Sequence, residues 1–240
     1  MASRLYAWRG FVRLHPITRA VLKDRLTYLS IQRLRRLERA IAETREVAGD
    51  VVEFGVALGG SGIILAKQAG RSRRFIGFDV FGMIPPPTSE KDDVKSKRRY
   101  EIIQSGASPG LRGNLYYGYD ADLFSSVKSA FRRHCVPVDG SQVILSKGLF
   151  QDTWPAAEVS AISLVHIDCD WYDSVKFCLD SVASKLSDGA VIVVDDYYDY
   201  GGCRTAVDEF LAERSEFAFE DGPNPILRKG SARKTLDGEN

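Results

Sequence analysis

Short β-branched apolar runs alternate along most of the chain with segments whose apolar positions recur every three or four residues. The runs cover 51–54, 75–79, 143–145, 162–168 and 190–194, and the helical patterns fall near 61–70, 121–134, 172–186 and 203–214. Strand followed by helix, repeated, predicts an α/β fold: a mostly parallel, Rossmann-like sheet with helices on both faces. Two last runs, Phe217-Ala218-Phe219 and Pro225-Ile226-Leu227, flank Asp221-Gly222-Pro223-Asn224 and predict a closing antiparallel hairpin.

Upstream, Leu26, Leu29, Leu34, Leu37 and Ile41 recur at helical spacing and predict one amphipathic helix over 26–47, ended by Gly49-Asp50. Trp8, Phe11, Val12 and Leu14 suggest a second stripe, interrupted at Pro16. The expected organisation is a helical arm or lid over 1–48, an α/β domain over 49–229 and a frayed polar tail over 230–240. Between Asp79 and Asp120 runs a long connection with Pro85-Pro86-Pro87, the charged Glu90-Lys91-Asp92-Asp93 and one helical stretch near 93–104. A connection of this length is expected to form or cover a substrate pocket.

The 240 residues are 44% hydrophobic, enough for a packed core, and 33 Lys+Arg against 32 Asp+Glu exclude a polyanion binder as a whole. The arm departs from that balance. Residues 1–39 hold ten basic side chains against Asp24 and Glu38 alone. It is expected to cover the pocket or pack on a second copy in a homo-oligomer rather than bind nucleic acid. The four cysteines form no C-x-x-C pair, which excludes zinc ribbons and a disulfide scaffold. No apolar run reaches the roughly 18 residues of a membrane span. No secretory signal is evident, so the cytoplasm is the expected compartment, although an Arg-rich, acid-poor arm also resembles a mitochondrial transit peptide.

The first strand runs into Glu53-Phe54-Gly55-Val56-Ala57-Leu58-Gly59-Gly60-Ser61 and then an apolar helix. Glycines at such a turn admit a ligand to the backbone, and the helix start favours an anionic group. The spacing is G-x-x-x-G-G, so the dinucleotide fingerprint G-x-G-x-x-G is not met. Asp79 ends the next strand, where an acid accepts hydrogen bonds from ribose hydroxyls. Together these predict a nucleoside cofactor. Asp168-Cys169-Asp170 and Asp195-Asp196 end two later strands, so four carboxylates are expected in one cleft. A hard divalent cation (Mg²⁺, Mn²⁺ or Ca²⁺) would relieve their repulsion, and the absence of a His or Cys cluster argues against zinc. His166 lies inside an apolar strand and is expected in the core.

In combination these segments resemble the macrocin O-methyltransferase (TylF/MycF-like) family of sugar O-methyltransferases. The resemblance rests on Gly49–Val56 with Gly59-Gly60-Ser61, Gly77–Phe81, Lys147–Pro155, His166–Ser174, and Asp195-Asp196-Tyr197 followed by Gly202–Asp208. It implies a class I methyltransferase fold, S-adenosylmethionine and Mg²⁺ as cofactors, and a saccharide or glycoside acceptor. It further implies Asp168, Asp195 and Asp196 as metal ligands and Asp170 as base. With the glycine turn, it places the cofactor on Glu53, Gly55, Val56, Gly59, Gly60, Ser61 and Asp79, with the adenine near Gln151 and Asp152. The chain departs from the family at Ala57-Leu58, where Trp-Arg is common, and at His166, where Arg is common. Two other readings are open. Tyr172-x-x-x-Lys176 with Ser160 matches the pair of NAD(P)-dependent short-chain oxidoreductases, without their glycine turn, and the basic arm would suit a binding protein on an α/β scaffold.

Overall fold

The structure, a computed structural model, describes residues 11–230; Trp8 and most of the polar tail lie outside the described residues. Among the described residues, Phe11 and Val12 are helical, and two complete helices precede the sheet, α1 (Pro16–Lys23) and α2 (Ile31–Glu43). The helix expected over 26–47 is shorter: residues 26–30 are not helical, α2 runs only from Ile31 to Glu43, and Arg25 just before them lies in the left-handed region at φ 58°. Pro16 opens α1 instead of interrupting a helix, because a proline at the first position gives up an N–H that has no helical partner there. Ser30 starts α2 by accepting a hydrogen bond from the Arg33 amide.

The α/β body follows as β1 (Asp50–Phe54), α3 (Gly60–Ala69), β2 (Phe75–Asp79), α4 (Val94–Gln104), α5 (Leu123–Arg133) and β3 (Val143–Lys147). It continues with the short α6 (Phe150–Thr153), β4 (Ile162–Ile167), α7 (Tyr172–Ala183), β5 (Leu186–Val194), α8 (Gly201–Glu213), β6 (Phe217–Glu220) and β7 (Ile226–Lys229). The sheet order is β3-β2-β1-β4-β5-β7-β6, and β7 runs antiparallel between β5 and β6. Helix α6 is additional to the expected elements.

The strands bury both faces. One apolar layer joins Ile63, Leu65, Phe75 and Phe131 to Ile17, Val21, Leu34, Leu37 and Ile41. The arm is therefore part of the core, since these arm residues are at most 8% exposed. The other layer packs α7 and α8 under Val52, Phe54, Val165 and Ile192. Parallel register sets Phe54 beside Ile167 and Ile167 beside Val194, so the acidic residues after these strands emerge at one level.

Candidate active site

The turn after β1 is built for close approach. Gly55 has φ +91°, and a Cβ there would stand 1.8 Å from the Asp168 carbonyl oxygen, so no side chain fits. Gly59, φ +90°, turns the chain into α3. Asp79 holds the turn from below: Oδ2 accepts from the Val56 and Ala57 amides at 2.8 Å each, and Oδ1 accepts from the Phe81 amide at 2.6 Å. Burial raises its pKa, and these three amides counteract the rise. Asp79 was expected to receive the ribose. It does border the cavities described below, but its carboxylate is engaged first as a latch for the glycine turn.

The aspartates after β4 and β5 are furnished differently. One carboxylate oxygen from each of Asp168, Asp195 and Asp196 lies within 4.8 Å of the other two. Asp195 is 3% exposed, and its Oδ1 is buried with no hydrogen-bond partner. Burial, then mutual repulsion, holds Asp168 and Asp196 well above the usual carboxylate range. Asp170 stands beside them with φ +61°, a left-handed conformation uncommon for a non-glycine residue, stabilised where its amide donates to Asp196 Oδ2 at 3.0 Å. Burial pushes the Asp170 carboxyl up to about 7, against the opposing pull of Arg99.

Two cavities meet at this edge. The first, of about 230 Å³, lies between the glycine turn, the arm linker and the acidic cluster; the second, of about 370 Å³, lies between the connection at 80–88, α6 and β4. They share Gly55, Asp79, Tyr117, Asp168, Asp170 and Trp171. Gly60 and Ser61 border the first, and Gln151 borders the second. Their combined size and mixed lining suit a small-molecule pair.

Three expected cofactor contacts fall elsewhere. Glu53 is wholly buried under α3, pairing through Oε1 with His166 Nδ1 at 2.9 Å, because residue alternation in β1 turns it into the core. Gly59 packs on Phe131 and Val127 and borders neither cavity. Asp152 is exposed on α6 outside both cavities. The oxidoreductase pattern also dissolves: the Tyr172 hydroxyl donates to Glu209 Oε2 at 2.7 Å while Lys176 pairs with Asp180 at 2.6 Å, so the two do not act together.

Sequence reasoning overlooked two arginines. Arg33 of α2 reaches across to Asp195 Oδ2 at 2.7 Å, Asp199 Oδ2 at 2.6 Å and the Pro223 carbonyl at 3.2 Å. It ties the arm, the β5 end and the hairpin loop together, and it leaves Asp195 Oδ1 without a hydrogen bond. Arg99 of α4 borders the first cavity. A helical stripe tells which face of α2 is buried but not which distant carboxylate its arginine meets.

The macrocin-O-methyltransferase (TylF) family profile matches residues 23–217. The chain is 27% identical over 190 residues to the 8-demethyl-8-(2,3-dimethoxy-alpha-L-rhamnosyl)-tetracenomycin-C 4'-O-methyltransferase of Streptomyces olivaceus, covering 77% of this chain and 67% of that protein. It is 28% identical over 213 residues to the demethyldecarbamoylnovobiocin O-methyltransferase of Streptomyces niveus, covering 85% and 73%. Among solved structures, the O-methyltransferase NovP superposes with a TM-score of 0.68 at 25% identity, covering 86% of this chain and 83% of that one. The calicheamicin methyltransferase CalS11 shares the fold with a TM-score of 0.63 at 19% identity, covering 95% and 91%. The chain belongs to the macrocin-O-methyltransferase (TylF) family and is an S-adenosylmethionine-dependent O-methyltransferase.

Proposed function

We propose that this enzyme methylates a hydroxyl of a sugar or glycosylated natural product in a Mg²⁺-dependent reaction. The observation that carries the reading is the trio of carboxylate oxygens, one each from Asp168, Asp195 and Asp196, within 4.8 Å of one another, on a cluster where Asp195 Oδ1 is buried without a hydrogen-bond partner. Such oxygens match the donor set of a hard dication, and a dication removes the repulsion that otherwise raises their pKa values. The Streptomyces olivaceus relative is named for a rhamnosyl-bearing substrate, which supports the acceptor class.

Asp168, Asp195 and Asp196 would hold the metal. Gly55, Val56, Gly60, Ser61, Asp79 and Gln151 would hold the cofactor, across the two joined cavities. Bound S-adenosylmethionine supplies an electrophilic methyl group, and a bound dication supplies the charge that lowers the pKa of an acceptor hydroxyl. The protein aligns the acceptor oxygen against the tyrosine and tryptophan walls, which converts an encounter into an oriented displacement. Asp170 takes the hydroxyl proton; its carboxyl near 7 suits a base at neutral pH, and its left-handed backbone points it beside the metal ligands. Two hydroxyls on neighbouring carbons would satisfy the metal together, so a vicinal diol is the acceptor expected.

Methyl transfer from labelled S-adenosylmethionine to a panel of glycosides, with and without EDTA, tests the reading. Turnover should fall at least a hundredfold in EDTA and return with Mg²⁺. Full turnover in EDTA would refute the metal assignment.

A further inference from the structure

We infer that the acceptor carries an anionic substituent, a carboxylate or a phosphate, and that Arg99 reads it. This deepens the proposed function and rests on its placing the acceptor hydroxyl at Asp170, which borders the first cavity.

Among the described residues, that cavity is bordered by two cations, Arg33 and Arg99. They are in opposite situations. Arg33 spends all three guanidinium nitrogens on Asp195, Asp199 and the Pro223 carbonyl. Arg99 makes no direct hydrogen bond or salt bridge, though its charge acts on Asp170; its guanidinium lies 5.6 Å from the centre of the Tyr116 ring, half-buried. None of its nitrogens is buried without a partner, so its donors are open at the wall, and stacking on a ring leaves the edge donors free.

Its position selects the partner. Arg99 stands on α4, across the cavity from the glycine turn, and Lys95, one helical turn earlier, places its ammonium over the Tyr200 ring at 5.0 Å while donating to the Asp199 carbonyl. Helix α4 is held over the cleft by Asp92, which accepts from the Tyr172 amide, and by Asp93, which accepts from the Gly201 amide. On the proposed reading the floor carboxylates are taken by the metal and the reacting hydroxyl, so a negative substituent elsewhere on the acceptor would lie against this wall. A planar fork of donors there matches a carboxylate or phosphate in two-point contact. A neutral glycoside would leave the guanidinium unanswered. The tyrosine rings beside it would take the sugar's apolar face.

The test uses the full chain loaded with S-adenosylhomocysteine and matched acceptor pairs. One pair is an aryl β-D-glucuronide against the aryl β-D-glucoside, and the other is a glucose 1-phosphate against methyl glucoside; the two arms separate a carboxylate from a phosphate. Dissociation constants come from calorimetry, with S-adenosylhomocysteine affinity measured first, so that loss of the cofactor site would count against the methyltransferase site and not against Arg99. In the wild type at least one anionic member should bind tenfold or more tighter than its neutral partner, the usual contribution of a charge-assisted pair. Arg99→Gln should abolish that ratio, and Arg99→Lys, which keeps charge but not the fork, should retain part of it. No preference in either pair would overturn the inference. An equal weakening of charged and neutral members in Arg99→Gln would also overturn it, assigning Arg99 to holding Asp170 instead.

Discussion

Asp79 and Asp195 each stand at the carboxyl end of a parallel strand, 7% and 3% exposed, yet their surroundings are opposite. Asp79 receives three backbone amides, which replace the water its carboxylate lost. Asp195 receives one guanidinium on Oδ2 and nothing on Oδ1, with Asp168 and Asp196 close by. A buried charge satisfied by amides stiffens a turn, whereas one short of donors and crowded by like charges is completed by a cation from outside. The same residue type at the same edge thus divides into a latch and, on the proposed function, a ligand, and the division follows from where amides are available.

Three substitutions sharpen this contrast. The largest effect is expected next to the ligand set: Asp170→Asn should lower turnover by roughly two to four orders of magnitude while Mn²⁺ still binds, because it removes a positioned base and no ligand. Single-turnover rates and Mn²⁺ titration by electron paramagnetic resonance check both halves, and loss of the metal would show that Asp170 belongs to the ligands. Asp195→Asn should weaken Mn²⁺ by about tenfold or more, since one negative charge leaves the site, and added metal should restore part of the turnover. An unaltered metal affinity would make Asp195 only the anchor of Arg33.

The smallest effect is expected at the latch. Asp79→Asn offers one acceptor oxygen to three donors, so it should cost about 1–3 kcal/mol and lower Tm by roughly 2 to 12 °C. Mn²⁺ affinity should stay within about twofold. A variant as stable as the wild type, but with weakened S-adenosylhomocysteine binding, would return Asp79 to the role expected from sequence, that of a ribose acceptor.

The glycine turn and the D-x-D and D-D pairs were legible because strand ends place such residues at one edge whatever the rest of the chain does. Glu53 was misplaced by the same logic. It neighbours the turn in sequence, but alternation along β1 sends it beneath α3 to His166. Asp152 was misplaced because a four-residue helix, too short to leave a periodic signal, carries it outside the cavity while Gln151 stays at the wall. The late start of α2 was hidden because apolar residues at 26 and 29 carry the helical spacing back into a linker that is not helical.

The sequence by itself determined the alternating α/β architecture, the antiparallel closing hairpin, the turn that only glycine can make at 55 and the convergence of acidic residues beyond β4 and β5. All of these follow from local periodicity and from the geometry of parallel strands, which act over a few residues. Tertiary structure alone decided that the basic arm is part of the core, that Arg33 meets Asp195 across 162 positions of chain, that Asp79 is latched by amides and that Arg99 faces the cavity without a partner. Those outcomes depend on which surfaces pack together, and pairing between charges distant in the chain leaves no period to read.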